Sequence, residues 1–526
     1  MFILVHSKII MKRILFTAGL LAIISLAKSQ PLTSSAIDNL VESSMKAFDV
    51  PGISVGIIKD GKVIYAKGFG VRSLNTKQKT DENTLFGIAS NSKAFTAVAL
   101  GILVDEGKIK WDDKVREYIP EFKLYNPFVT EEFTIRDLLT HRSVMGLGAG
   151  DLMFFPDSSD FTLKDILYNL HFLKPVSSFR TKYDYDNNLY IVAGEVITRV
   201  SGMSWDDFVT QRILQPLDMN KTATSFDRLK DKSDVIDAHA PVDGKVQVIA
   251  RSTLKVGHSA GGVNSNITDL CKWVQLLLNG GKYGDGMSKH LYSENAAREI
   301  WSPQTIINVG SPGYYNTHFA AYGFGFFLSD VNGYKQVTHT GGLEGMVTQI
   351  TMIPELNLGI IVLTNQQEGG AFSSISNQIK DGYFGKTGRN WVELLSGNRK
   401  NSLAAANHLV DSIWQDINKA SKTSTSNFNV LAGTYTDPWF GEITISLKNG
   451  KPWFDSKRSP KLTGELFAYK GNTYVVKWRD RSMDADAFVN FRLDEQGLGA
   501  GISMRSLSPL TDFSYDFQDL DFSRVK

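Results

Sequence analysis

Apolar side chains in the segment 35–49 recur every three to four residues, at Ile37, Leu40, Val41, Met45 and Phe48, which is the spacing of an amphipathic helix. The pattern then changes. GISVGIIKDGKVIYAKGFG (52–70) holds two β-rich runs on either side of Asp60-Gly61, a strong turn signal, and predicts a hairpin. Residues 84–250 are mostly helical patterns broken by polar loops. Between 322 and 366, the runs YGFGFFLSD, YKQVTHTGG, MVTQITMIP and LGIIVLTNQ read as consecutive antiparallel strands, and a helix follows near 371–384. Strands thus open and close this region around a helical insertion. The expected fold class is α/β (α+β), an antiparallel sheet flanked by helices with an all-α insertion.

Residues 401–420 look helical, and KASKTSTSN (419–427) is polar and Ser/Thr-rich, as a linker would be. Beyond it come short strand patterns with turn signals at Asn449-Gly450, Lys470-Gly471-Asn472 and Gln496-Gly497, predicting a small β-barrel or sandwich over 429–526. The N-terminus is different again. Lys12 and Arg13 precede ILFTAGLLAIISLA, and Lys28, Ser29 and Gln30 follow. A basic stretch, a short apolar run and an Ala-x-Ser cleavage pattern read as a signal peptide over 1–29, so the protein is expected to be exported, periplasmic or secreted. The apolar run falls short of the ~20 residues a membrane span needs, and no later run reaches that length, so no span is expected after signal removal.

At 526 residues the chain is too long for one core. Its net charge of +2 gives no electrostatic case for nucleic acid or an anionic membrane. A single cysteine, Cys271, excludes an internal disulfide and a thiolate metal cage, and its place in TDLCKWVQLLLN reads as a buried small hydrophobe. The nine histidines include no H-E-x-x-H and no close pair. No metal or other cofactor is expected.

The candidate chemistry begins at Ser90-Asn91-Ser92-Lys93, which opens a helix predicted to run to about Glu106 and to stop at Gly107. Residues i and i+3 share a helix face, so Lys93 sits one turn above Ser90, where the helix N-terminus favours negative charge. Ser-x-x-Lys therefore combines a nucleophile with a cation or base. The motif also occurs at Ser43–Lys46, inside a helix past its start, and at Ser252–Lys255, with no helix after it. Tyr185-Asp186-Asn187 offers a phenol to relay a proton and an amide for a substrate carbonyl; Tyr314-Tyr315-Asn316 is a second match in a Gly/Pro-rich loop. His339-Thr340-Gly341-Gly342 ends a predicted strand. Its glycines would admit a substrate backbone, and the Gly342 N–H could complete an oxyanion hole with that of Ser90. Lys386-Thr387-Gly388 lies in a polar turn and reads as a decoy.

In this order the segments PGISVGIIKDGKVIYAKGFG, FGIASNSKAFTA, LLTHRSVMGLG, YDYDNNLYIVAGEVITRVSG, HSAGGVNSNITDL and HTGGLEGMVTQITMIPE resemble the serine β-lactamase-related family over about 35–385. That family includes class C β-lactamases, D-alanyl-D-alanine carboxypeptidases, D-aminopeptidases and some esterases. The resemblance implies the penicillin-recognising serine hydrolase fold over 30–395, with Ser90 as the acylated nucleophile. It implies Lys93 and Tyr185 as sharers of the base and proton-shuttle role, and Asn187 as a group that orients substrate. Thr340, Gly341 and Gly342 would line the substrate and oxyanion site. His339 stands where many β-lactamases have lysine. A histidine titrating near ~6.5 there would shape activity between about pH 5.5 and 7.5 and would favour peptidase, amidase or esterase work over β-lactam hydrolysis. HRSVMGL departs from the family's HxSGL. LAGTYTDPWFGEITISLKNGKPWF resembles the lipocalin-like domain that follows the hydrolase domain in some members, 396–428 being a helix and linker. In those relatives such a domain restricts access to the active site or joins subunits into a homo-oligomer.

The expected partner is a small acyl or peptide substrate, peptidoglycan-derived fragments included. Two alternatives compete. Gly257-His258-Ser259-Ala260-Gly261 matches the G-x-S-x-G nucleophile elbow, but no helix starts directly after it. A sensor or scaffold that is acylated without turnover would carry the same motifs.

Overall fold

The computed structural model describes residues 31–420 and 428–525. The expected signal peptide and the polar linker lie outside the described residues. Helix α1 (Ser34–Phe48) starts at a Thr33 N-cap, whose side chain accepts from the Ala36 N–H, and leads into the hairpin β1 (Gly52–Lys59) and β2 (Lys62–Gly70). Helix α2 (Lys93–Asp105) ends before Gly107, which takes a positive φ. Helices α3 (Asn187–Ser201) and α4 (Ile267–Leu278) follow, with shorter helices and loops around them. The sheet resumes with β3 (Thr305–Ile307), β4 (Ala320–Tyr322), β5 (Phe327–Val331), β6 (Tyr334–Leu343), β7 (Met346–Ile353) and β8 (Leu358–Thr364).

These eight strands form one sheet in the order β2-β1-β8-β7-β6-β5-β4-β3, and every pairing is antiparallel. The N-terminal hairpin therefore joins the strands that follow the helical insertion through the pairing of β1 with β8, second and third in that order. Strand β8 is buried along its length because the sheet is covered on both sides. Ile360 and Val362 pack with Ile37, Val41 and Phe48 of α1 and with Ile375 and Ile379 of α5 (Gly369–Phe384). Ile361 and Leu363 face the opposite layer, with Leu270 and Val274 of α4 and Val98 of α2. A strand sandwiched this way loses the polar alternation of a half-exposed one, which is why LGIIVLT is a continuous apolar run.

One predicted strand divides. YGFGFFLSD holds the end of β4 and the start of β5, joined by a turn in which Gly325 takes φ 76°. A Cβ at that glycine would stand 2.9 Å from the carbonyl oxygen of Lys93, so the turn is pressed onto the start of α2.

Helix α6 (Trp391–Ala420) starts inside the 30–395 segment and reaches the second unit, where Ile413 and Ile417 pack on Val475, Phe488 and Leu507. That unit is a closed antiparallel barrel of eight strands: β9 (Gly433–Asp437), β10 (Gly441–Lys448), β11 (Lys451–Ser456), β12 (Thr463–Lys470), β13 (Thr473–Trp478), β14 (Ala487–Leu493), β15 (Gly499–Ser506) and β16 (Asp521–Arg524). The turns fall at the three predicted signals, and β16 pairs back onto β9 to close the barrel, removing the exposed edges. Among the described residues, no helix is long and apolar enough to cross a membrane.

Candidate active site

Ser90 lies in a single 3-10 turn (Ala89–Ser92) that runs directly into α2. Ala89 takes φ 49°, a strained value for a residue with a Cβ, immediately before the serine. The turn is fixed by buried side chains. Asn91 Nδ2 donates to Thr348 Oγ1 at 2.9 Å, and Ser92 Oγ accepts from the Val263 N–H at 3.0 Å. Ser90 itself stays half-buried and opens on the cleft.

Lys93 is fully buried. Its Nζ donates to Ser90 Oγ at 3.0 Å, to Asn187 Oδ1 at 2.7 Å and to the Ala260 carbonyl at 2.9 Å. It also stands 4.8 Å from the centre of the Tyr185 ring. Burial pushes the lysine down to about 7, against the opposing pull of Asp151 and Asp186. Tyr185 responds in the opposite sense: burial holds its phenol well above its ordinary value despite nearby Ser90, and its Oη has no hydrogen-bond partner. Of the two candidate bases, only the lysine is brought near neutral pH. The Asn187 amide is committed inside the protein, since its Nδ2 donates to Asp151 Oδ2 at 2.8 Å while its Oδ1 receives Lys93. In this arrangement the Asn187 side chain grips the lysine.

The third motif lies inside β6, which runs on to Leu343, where a strand end was expected. Gly341 has no room for a side chain: a Cβ there would stand 2.2 Å from the Ile88 carbonyl and 3.0 Å from the Ala89 Cβ. Strand β6 is thereby laid against the backbone just before Ser90. Gly341 serves this close approach, while Thr340 and Gly342 face outward and the space beside Gly342 is open. His339 is not a titrating group at working pH. It is buried, with Nδ1 donating to the Thr340 carbonyl at 2.5 Å and Nε2 accepting from Tyr322 Oη at 2.8 Å. Burial and the Lys93 charge push it down to about 3, so it is neutral across the physiological range. The expected pH limb between 5.5 and 7.5 cannot come from this imidazole.

The rival motifs fall away from the nucleophile. Tyr314 bonds Asp381, and Lys386 reaches the Tyr314 carbonyl. Ser259 is buried in an irregular turn (His258–Gly262) against α3, with no strand-turn-helix geometry; its neighbour Ala260 supplies the carbonyl that holds Lys93. The loop 257–261 lines the cleft, as a Gly-rich stretch does.

The cleft has a volume of about 460 Å³, within the range of small-molecule sites. Its walls include Leu147, Phe154, Phe155, Leu254, Leu343 and Phe372, and the barrel adds Met483, Phe513 and Tyr515. Among the described residues, the carboxylates on its lining are Glu344 and Asp512, and no lysine or arginine is part of that lining. Sequence reasoning missed Asp151, Tyr322 and the barrel segment 512–516. Asp151 follows a glycine-rich loop without periodicity, and the barrel segment has no motif; the fold alone brings them here.

A family model described as Beta-lactamase matches residues 37–381. The chain belongs to the beta-lactamase family. A second model, a domain of unknown function named DUF3471, matches residues 418–524, the barrel. An unguisins hydrolase of Aspergillus campestris is 29% identical over 337 residues, covering 62% of this chain and 60% of that protein. Protein flp of Staphylococcus aureus is 28% identical over 337 residues, covering 62% of each. The chain thus spans about 60% of the length of these curated relatives. An octameric penicillin-binding protein homologue from Pyrococcus abyssi superposes with a TM-score of 0.60 at 21% identity, covering 90% of this chain and 99% of that one. That likeness establishes a shared fold over 90% of this chain.

Proposed function

We propose that this member of the family is a serine hydrolase working through an acyl-enzyme on Ser90, an amidase, peptidase or esterase for substrates that carry no carboxylate beside the scissile bond. The observation that carries the chemistry is the Lys93 ammonium site, buried, 3.0 Å from Ser90 Oγ and lowered to about 7. Once neutral, Lys93 accepts the Ser90 proton as Oγ attacks the carbonyl carbon. The N–H groups of Ser90 and Gly342 receive the oxyanion. Lys93 returns the proton to the leaving group, with the Tyr185 hydroxyl between them as a relay, and water then cleaves the acyl ester by the same route in reverse. The name of the Aspergillus relative, a hydrolase, supports this class of reaction.

The substrate class follows from charge. A carboxylate beside the reacting carbonyl needs a cation, and this cleft offers a neutral His339 among apolar walls, with the acid Asp512 and a Glu344 whose charge is already met by Lys461. Amides and esters with apolar groups on either side fit it better than D-alanyl-D-alanine acids or β-lactams. The test uses a fluorophosphonate probe and paired substrates. Labelling is expected at Ser90 and lost in Ser90→Ala. A D-amino-acid peptide amide and an apolar p-nitrophenyl ester are expected to turn over at least roughly tenfold faster than the matching peptide acid or nitrocefin. Preference for the acids, or one equivalent of acylation without turnover, would overturn the reading.

A further inference from the structure

The barrel touches the nucleophile through a continuous line of hydrogen bonds. Ser514 Oγ, from the segment between β15 and β16, donates to Asp151 Oδ2 at 2.8 Å. The same oxygen receives Asn187 Nδ2 at 2.8 Å, Asn187 Oδ1 receives Lys93 Nζ at 2.7 Å, and Lys93 Nζ donates to Ser90 Oγ at 3.0 Å. Asp151 is wholly buried and Ser514 nearly so. The loop bearing Asp151 is clamped on both sides of it, because the Asp516 carboxylate accepts from the N–H of Gly150 at 2.6 Å and of Leu152 at 3.1 Å. Asp151 Oδ1 has no partner, so everything that orients this carboxylate acts on Oδ2.

We propose that Ser514 and Asp151 are positioning residues of the hydrolase site, through which the barrel sets the orientation and proton affinity of Lys93. This rests on the reading of Ser90 and Lys93 given above. The barrel is thereby part of the catalytic unit as well as a wall of the cleft. Asn187 turns its oxygen toward Lys93 because its NH₂ is held by Asp151, and Ser514 keeps Asp151 facing that NH₂. At its Asp151 and Lys93 links, which are wholly buried, a missing partner leaves a polar group unpaired.

The electrostatic consequence has a definite sign. Lys93 is faced by Tyr185, Tyr190, Asp186 and Asp151, with His141 and His339 close enough to feel its charge. Burial holds the Asp151 carboxyl well above its ordinary value, and the Asn187 and Ser514 hydrogen bonds draw it back toward the charged form, whose negative charge raises the lysine. The neighbouring Asp186 carboxylate acts on Asp151 in the opposite sense. Removing the hydroxyl therefore weakens the negative charge and lowers Lys93 further.

The experiment is a pH profile of kcat/KM on a small apolar ester for the full-length protein, Ser514→Ala, Ser514→Thr and Asp151→Asn, each with fluorophosphonate labelling and a melting curve. Ser514→Ala is expected to fold, to label at Ser90 more slowly, to lose roughly tenfold in kcat, and to move its acid limb to lower pH by about half a pH unit. Ser514→Thr, which keeps the hydroxyl, is expected to restore the limb. Asp151→Asn is expected to shift the limb the same way and further. If Ser514→Ala labels at Ser90 and keeps both kcat and the acid limb, changing only KM, the barrel is merely a wall and the proposal fails. Labelling at a serine other than Ser90 overturns the functional reading instead.

Discussion

At the scale of single residues, the site is governed by how burial divides the proton among neighbours. Lys93 and Tyr185 are both enclosed, yet desolvation penalises the charged form of each and so moves them in opposite directions, the lysine down to about 7 and the phenol up. Below about pH 7 the lysine is an ammonium that cannot take the Ser90 proton; above it the amine is free. The kcat/KM profile is therefore expected to rise with pH through a limb near 7. His339→Gln tests which group owns that limb. Since the imidazole is already neutral, the limb is expected to stay in place even if the rate drops. A limb that disappears would return the titration to His339. The sequence could pick out Ser90, Lys93 and Tyr185 because they stand at or just before the start of a helix, and His339 because it lies in a β-rich run carrying paired glycines. It could not show the protonation state of His339, which depends on its burial and on the charge of Lys93 nearby, both set by the fold.

At the scale of elements, the nucleophile is positioned by contact between a strand and a turn. Gly341 brings β6 against Ile88 and Ala89, closer than any side chain permits. Gly341→Ala is expected to push the strand off the turn, lowering the melting temperature and costing at least roughly tenfold in the rate of Ser90 labelling. Gly342→Ala, with open space beside it, is expected to melt with the wild type; equal melting of both variants would show that the approach is not constrained. The hairpin around Asp60-Gly61 and the four strands between 322 and 366 were legible because turn chemistry and β-rich runs coincide. The short strands β3, at the edge of the sheet, and β4, beside it, were not, since three residues carry no periodicity and their pairing is decided by the rest of the sheet. The split of YGFGFFLSD has the same origin: Gly325 turns there to fit the start of α2.

At the scale of the whole molecule, the barrel and the hydrolase unit behave as one packed body. Arg458 pairs with Asp160 and Asp165 at 2.7 and 3.0 Å, Lys461 pairs with buried Glu344 at 3.3 Å, and Asn169 Nδ2 donates to the Trp439 carbonyl at 2.8 Å. The exposed pairs contribute little each. The buried ones matter more, and Asp516 is the clearest, with both oxygens engaged by backbone N–H groups of the opposite unit. Replacing it with alanine leaves two enclosed donors unpaired, at a cost on the order of 2 kcal/mol or more. Asp516→Ala is accordingly expected to melt at lower temperature. Because Phe513 and Tyr515 ride on the same segment, it is also expected to narrow the difference in kcat/KM between a small and a bulky apolar ester. The two readouts separate two kinds of coupling. A lower melting temperature with unchanged discrimination would mean that the segment is held in the cleft by its apolar contacts alone. Loss of discrimination at an unchanged melting temperature would mean that Asp516 governs access without bearing on stability. Only both changes together are what a clamp that is structural and functional at once predicts.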